Sequence, residues 1–187
     1  MAKFSIQAIS GLTTNTDTYE EEPVSVSQLK EYLQIEGGAY DTTLANFITS
    51  ARMQIERYCN VSLVPHSIRA QIRNAPELKT FPVPYPPIAS IESVQWKKCP
   101  TTNETLVEGE TWWIVDDEAE AMEIQSKKGG LFFINYTTSG ATGVVWQQAI
   151  LAQCGFMFNN RDADKPVKFS LSPETQGLIE ELRNHYY

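Results

Sequence analysis

"VWQQAILAQCGFMFNNRD", residues 145–162, reads as one helix closed by a polar stop, and from Ala149 to Phe158 it is apolar almost all the way round. A helix at a protein surface shows one apolar stripe, whereas one that is apolar on every side is buried. The helix over 145–160 therefore needs cover on both sides, from its own chain or from another copy of it. Helical patterns flank a long central run of strand patterns, which makes the fold class α+β: a small bundle of about four helices with an inserted antiparallel β-sheet.

The helices that could provide cover are legible from their punctuation. "VSVSQLKEYLQI" predicts a helix over 25–35, with Ser25 and Gln28 at capping-box spacing and Val26, Leu29 and Leu33 on one face. Gly37 and Gly38 end it. A second helix spans 41–59 with Asp41 as N-cap. Its apolar stripe is Leu44, Phe47, Ile48, Ala51, Ile55, Tyr58 and Cys59; Asn46, Thr49, Met53, Glu56 and Arg57 lie opposite, Met53 being the apolar exception. The last helix, over 172–184, opens with Ser172 as N-cap, Pro173 at the first helical position and Glu174 favouring the dipole. Its apolar edge is only Leu178, Ile179 and Leu182, too little to hold a short helix unless something else binds it.

Residues of about 66–137 change period. "SIRAQIR" alternates Ile68, Ala70 and Ile72 against Arg69, Gln71 and Arg73. Pro82, Pro84, Pro86 and Pro87 force "FPVPYPPIAS" into an extended path. "IESVQWKK", "TWWIVD", "EAMEIQ" and "LFFINYT" complete a small antiparallel sheet, the last two joined by "SKKGG" as a hairpin turn through Gly129 and Gly130. Residues 1–22 are polar and aperiodic, and read as a flexible or partner-ordered arm before a single domain over 23–187.

Composition excludes several classes. With 187 residues, 42% apolar and 20% charged, the chain is long enough for a real core. A net charge of −8 argues against a protein that grips nucleic acid by neutralising phosphates. Cys59, Cys99 and Cys154 are odd in number and lack zinc spacing, so reduced, partly buried thiols are expected. "MAKFSIQAISGL" reads as neither a signal peptide nor a membrane span, and the Asn-x-Ser/Thr matches at Asn60, Asn103 and Asn135 carry no glycosylation meaning.

The search for catalytic groups is empty. His66 and His185 stand near no nucleophile signature, and GxSxG, HExxH, P-loop and GxGxxG motifs are absent. Glu108, Glu110, Asp116, Asp117, Glu118, Glu120 and Glu123 form a dense acidic group without calcium-loop spacing, read as a solvated rim. The lysine pairs at 97–98 and 127–128 blunt strand ends. Trp112, Trp113, Phe132, Phe133 and Tyr136 lack the basic surround of a base-stacking platform. No catalytic residue, cofactor or metal is expected.

The order of segments carries more than any one of them. "VSVSQLKEYLQIEGGAYDTTLANFITSARMQIERYCNVSL" resembles the opening of tailed-phage head–tail connector (adaptor) proteins, also called DNA-packaging proteins. The matching positions are Leu29, Lys30, Leu33, Asp41, Ile48, Ala51, Arg52, Ile55, Glu56 and Tyr58. "FPVPYPPIASIESVQW" is similar to the Pro-rich segment and strand of the longer members. "INYTTSG" resembles their Tyr-x-x-Gly strand, with Gly140 one residue late. "AILAQCGFMFNNRD" is like their closing helix, with Asn160, Arg161 and Asp162 at its Asn-Arg-acidic end. Two departures stand out: "GVVWQQ" lacks the proline that usually starts that helix, and the acidic loop holds two glycines instead of a run of Asp.

The resemblance, over roughly 23–184, implies a structural virion protein at the head–tail interface, synthesised in the bacterial host cytoplasm. It implies a homo-oligomer, usually a dodecameric ring that can be monomeric before it meets the portal protein. That ring extends the DNA channel, which DNA passes without sequence-specific binding, and offers a platform to a stopper or tail-completion protein; no membrane is involved. It also makes the 145–160 helix the central one, packed on the 41–59 stripe. A ring needs two different contact faces on each subunit. The expected subunit-interface residues are Met53, Trp146, Phe156, Phe158 and Arg161, and the expected portal-docking residues are Leu178, Ile179 and Leu182. A head-completion or tail-terminator protein is the second reading, and a ligand-binding or enzymatic α+β domain the third.

Overall fold

The computed structural model describes residues 5–10, 22–75, 77, 80–99, 102–116, 123–161 and 171–183, with backbone alone at 5–10, 98–99, 102, 116, 181 and 183. The class is α+β: among the described residues there are four helices and two antiparallel sheets, and the chain contains two compact units. One unit comprises 20–63 and 142–187 and holds the helices; the other comprises 1–19 and 64–141 and holds the strands. The division has a physical cause: the β insertion encloses an apolar core of its own.

The helical unit contains α1 (Val26–Leu33), α2 (Asp41–Cys59), α3 (Val144–Asn159) and α4 (Pro173–Arg183). The capping box forms as the sequence requires: Ser25 Oγ accepts from the Gln28 amide at 3.2 Å, and the Ser25 amide donates to Gln28 Oε1 at 2.8 Å. Ser172 Oγ likewise accepts from the Thr175 amide at 3.1 Å, ahead of Pro173. Asp41 is not the cap of α2. Tyr40 holds that position without a side-chain bond, and Asp41, one residue inside, pairs at 2.8 Å with Lys30 of α1. Leu44, Ile48, Ala51, Ile55 and Cys59 of α2 are buried as the stripe requires.

Helix α3 is covered by its own unit. It packs against α1, α2 and α4, and Trp146, Ala149, Ile150, Ala152, Gln153, Cys154 and Gly155 are all buried. At Gly155 a Cβ would stand 3.2 Å from a Tyr32 ring carbon, so the glycine lets α1 approach.

The β unit contains β1 (Ser5–Ser10), β2 (Ser67–Ala75), β3 (Thr80–Pro82), β4 (Ile88–Cys99), β5 (Thr102–Thr105), β6 (Trp112–Asp116), β7 (Glu123–Ser126) and β8 (Gly130–Thr138). They form a five-stranded sheet, β1-β2-β8-β4-β5, and a three-stranded sheet, β3-β7-β6, in place of the single small sheet expected. Strand β1 lies in the stretch read as an arm: Ile6 and Gln7 pair with Ile72 and Gln71 on the edge of β2. Residues 11–21 of the arm are outside the described residues.

The "SKKGG" stretch is not a hairpin turn, because β7 belongs to the smaller sheet and β8 to the larger. It carries the chain from one sheet to the other. Gly130 takes φ +114, and a Cβ on Gly129 would meet the Ala75 carbonyl oxygen at 3.0 Å. The Gly129 carbonyl also accepts from Trp96 Nε1 at 3.0 Å. Between the sheets lie Ile72, Ile134, Phe132 and Tyr136 from the larger, with Phe81, Trp112 and Ile124 from the smaller. Strand alternation sends Arg69, Gln71 and Arg73 of β2, and Phe133, Asn135 and Thr137 of β8, to the opposite side of the larger sheet.

Candidate assembly surfaces

The helical unit is held from within by two buried polar networks, which decide which side chains remain for other molecules. Arg52, fully buried on α2, donates from Nη1 to Glu56 Oε2 at 2.7 Å and from Nε to Glu22 Oε2 at 2.8 Å. Thr49 Oγ1 adds a bond of 2.8 Å to Glu22, and Glu56 Oε1 accepts from the Leu63 amide at 2.9 Å. Removal from water raises the Glu56 carboxyl above the usual range, and Arg52 acts against that shift. Glu56 was assigned to the polar side of α2; it is 1% exposed, and what admits it is the guanidinium one turn away.

The second network centres on Gln153 of α3. Its Nε2 donates to Gln54 Oε1 at 2.8 Å, and its Oε1 accepts from the Ser172 amide at 2.9 Å and from Thr175 Oγ1 at 3.2 Å. One side chain thus ties α3 to α2 and to the start of α4. Beside it, burial pushes the Cys154 thiol up to about 12, with the Glu22 charge adding to the shift. Cys59 and Cys154 are buried thiols that form no disulfide; the side chain of Cys99 lies outside the description.

The expected interface residues divide accordingly. Trp146 and Ile179 are 4% and 0% exposed, so each packs in the interior of its own unit. Large apolar side chains of a small bundle are drawn inward first, and single-sequence periodicity does not separate that role from contact with a partner. Met53 is half-buried and lines an open groove with Ser50, Gln54, Arg57, Leu171 and Gln176. Phe156 borders a second groove with Tyr32, Leu33, Asn159 and Pro173. Phe158 meets Tyr40 edge-on at 6.2 Å, and the exposed Arg161 guanidinium lies 4.1 Å over the Phe158 ring. On α4, Leu178 is exposed and Leu182 half-buried, so the apolar edge retains a partly open side. Tyr40, which the sequence did not single out, is 45% exposed beside Phe158; its position at the start of α2 was the available signal.

His66 Nδ1 lies 2.8 Å from the Val64 carbonyl, a structural contact, and His185 is outside the described residues. Among the described residues no group of three or more His, Cys, Asp or Glu could hold a metal ion, and no helix is long and apolar enough to cross a membrane. Glu108 and Glu110 are exposed, Glu123 is half-buried, and 117–122 fall outside the description.

No protein-family model matches the sequence, and no curated protein matches it. Solved structures do match the fold. A chain of the neck of an empty gene transfer agent particle, computed with C6 symmetry, superposes with a TM-score of 0.68 at 18% identity, over 95% of this chain and 94% of that one. A chain of the virion of the native gene transfer agent gives 0.63 at 18% identity, over 94% and 93%. A chain of the native particle's neck, computed with C12 symmetry, gives 0.62 at 17% identity, over 95% and 93%. At such identities the likeness defines the fold.

Proposed function

We propose that this chain is a structural protein of the head–tail neck of a phage-like particle, and within that neck the ring-forming connector that docks under the portal. The observation that carries the reading is the fold likeness to neck and virion chains over nearly the full length of both molecules. The connector-like order of motifs in the sequence points the same way independently of that superposition. Both symmetries in which those necks were computed are those of rings, which fits a subunit with two different contact faces.

In this reading the subunit works by shape and charge, with no chemical step. Leu178 and Leu182 are the α4 positions left for the portal, and Met53, Phe156, Phe158 and Arg161 those left for neighbouring subunits. A chain of net charge −8 suits a channel wall that DNA slides past without adhering. A ring whose inner wall proved neutral or basic would remove that last element. The test of the whole is to mix the chain with its cognate portal and measure mass by size-exclusion chromatography with light scattering. A portal peak that gains the mass of a ring of 21.1 kDa subunits supports the connector; an unchanged peak sinks it.

A further inference from the structure

We infer that the exposed valine pair at the start of α3, Val144 and Val145, inserts into the groove at the far end of α3 on a second copy of this chain, so that the central helices follow one another head to tail. The inference rests on the connector reading and names both faces of one subunit contact.

Val144 is 69% exposed, more than any other large apolar side chain among the described residues, and Val145 beside it is 41% exposed. A single exposed apolar side chain is ordinary surface; two adjacent ones at the head of the helix that is otherwise most deeply covered form an apolar knob. The start of α3 is also electrically unfinished. No side chain caps it and no acid occupies its first turn, so its leading amides keep their partial positive charge.

The groove lies at the opposite end of α3, where the last turns of that helix meet α1 and the start of α4. It is open and holds about 650 Å³, with Tyr32, Leu33, Phe156 and Pro173 on its apolar wall and Asn159 and Glu174 on its rim. Both rim residues are exposed. Glu174 brings a carboxylate and Asn159 an amide oxygen, the acceptors that an uncapped helix start lacks. The complementarity is therefore double: apolar knob to apolar wall, and positive helix start to acidic rim. Along its own helix Val144 stands roughly 18 Å from Phe156, so no chain can seat its knob in its own groove. A second copy can. Knob and groove are different patches, which makes the contact heterologous and lets it repeat around a ring.

The test is a pair of cysteines, Val144→Cys and Asn159→Cys, placed together in a Cys99→Ser chain whose remaining thiols, Cys59 and Cys154, are buried. The new pair lies roughly 22 Å apart along one helix, whereas a disulfide needs Cα atoms about 4.4–6.8 Å apart, so the bond can form only between copies. Oxidised on the cognate portal, this chain is expected to give a ladder of disulfide-linked multimers, while each single-cysteine variant gives nothing beyond a dimer. No multimers from a ring that has formed, or a dimer and nothing larger from the double-cysteine chain, overturns the inference and leaves the connector reading standing. Val144→Asp supplies a second readout. An acid in the first turn favours the helix dipole, so the melting temperature should hold or rise. Half-saturation of the portal should nevertheless take roughly ten-fold more chain, because an apolar contact is lost and a carboxylate is turned towards Glu174. Assembly of Val144→Asp like wild type overturns the inference. If wild type itself ignores the portal, the connector reading fails. Oxidation of the concentrated double-cysteine chain then decides the contact: multimers beyond the dimer uphold it, and their absence overturns it.

Discussion

Replacing Gln153 by leucine isolates what holds α4, the helix with the smallest apolar edge. The side chain is 1% exposed and makes three hydrogen bonds, to Gln54, the Ser172 amide and Thr175 Oγ1. Each is worth about 1 kcal/mol net, and the buried Ser172 amide left without an acceptor adds about 1–3 kcal/mol. Thr175 keeps its bond to Ser172 Oγ, and leucine gains about 1 kcal/mol of apolar burial, which offsets part of the loss. The expected cost is therefore about 2–4 kcal/mol, concentrated on α4 rather than spread over the molecule. Because the chain has two compact units, the decisive readout is local: amide hydrogen exchange across 173–183 should speed by one to three powers of ten (about 1.4 kcal/mol each). Exchange in β8 should not change. Unaltered protection of α4 in Gln153→Leu would refute the assignment of Gln153 as its anchor.

Four further outcomes follow from named residues. Glu56 binds its proton more tightly folded than unfolded, so its contribution is largest below about pH 4.5 and is lost as pH rises through the raised folded value. The stability of wild type relative to Glu56→Gln, from urea titrations, should accordingly rise as pH falls from 7 towards 4. With its thiol near 12, Cys154 has little thiolate at pH 8, and iodoacetamide labelling followed by peptide mass spectrometry should find it modified only at the rate of unfolding. Gly129→Ala should cost about 1–3 kcal/mol by thermal melting, because its Cβ would stand 2.9 Å from Glu77 Cγ and 3.0 Å from the Ala75 oxygen. Gly109→Ala, with φ +79 but nothing within 4 Å, should cost only about 1 kcal/mol.

What was legible in the sequence is what local chemistry alone decides. The Ser25–Gln28 box, the Ser172–Pro173 start and the 41–59 stripe are all settled within one or two turns of chain, and each stands where the residues place it. The largely apolar second half of α3 was equally plain, and its cover proved to be three helices of its own unit. The errors share one cause, namely partners distant in sequence. Glu56 looks solvent-facing until Arg52, itself paired with Glu22 thirty positions earlier, is drawn into the interior beside it. "SKKGG" looks like a hairpin until β7 pairs with β3, some forty positions earlier, and leaves β8 to another sheet. Strand β1 has no period of its own and exists by pairing with the edge of β2. Candidate contact residues suffer the same limit, since Trp146 and Phe158 are alike as letters but one is enclosed and the other sits beside exposed Tyr40.

The central claim, a ring connector beneath a portal, is tested most directly by electron cryo-microscopy of the cognate portal incubated with an excess of this chain. A connector gives an added ring of density under the portal, with twelve copies expected and α4 turned towards the portal. Portal particles without added density, or with the chain bound as scattered single copies, would contradict it.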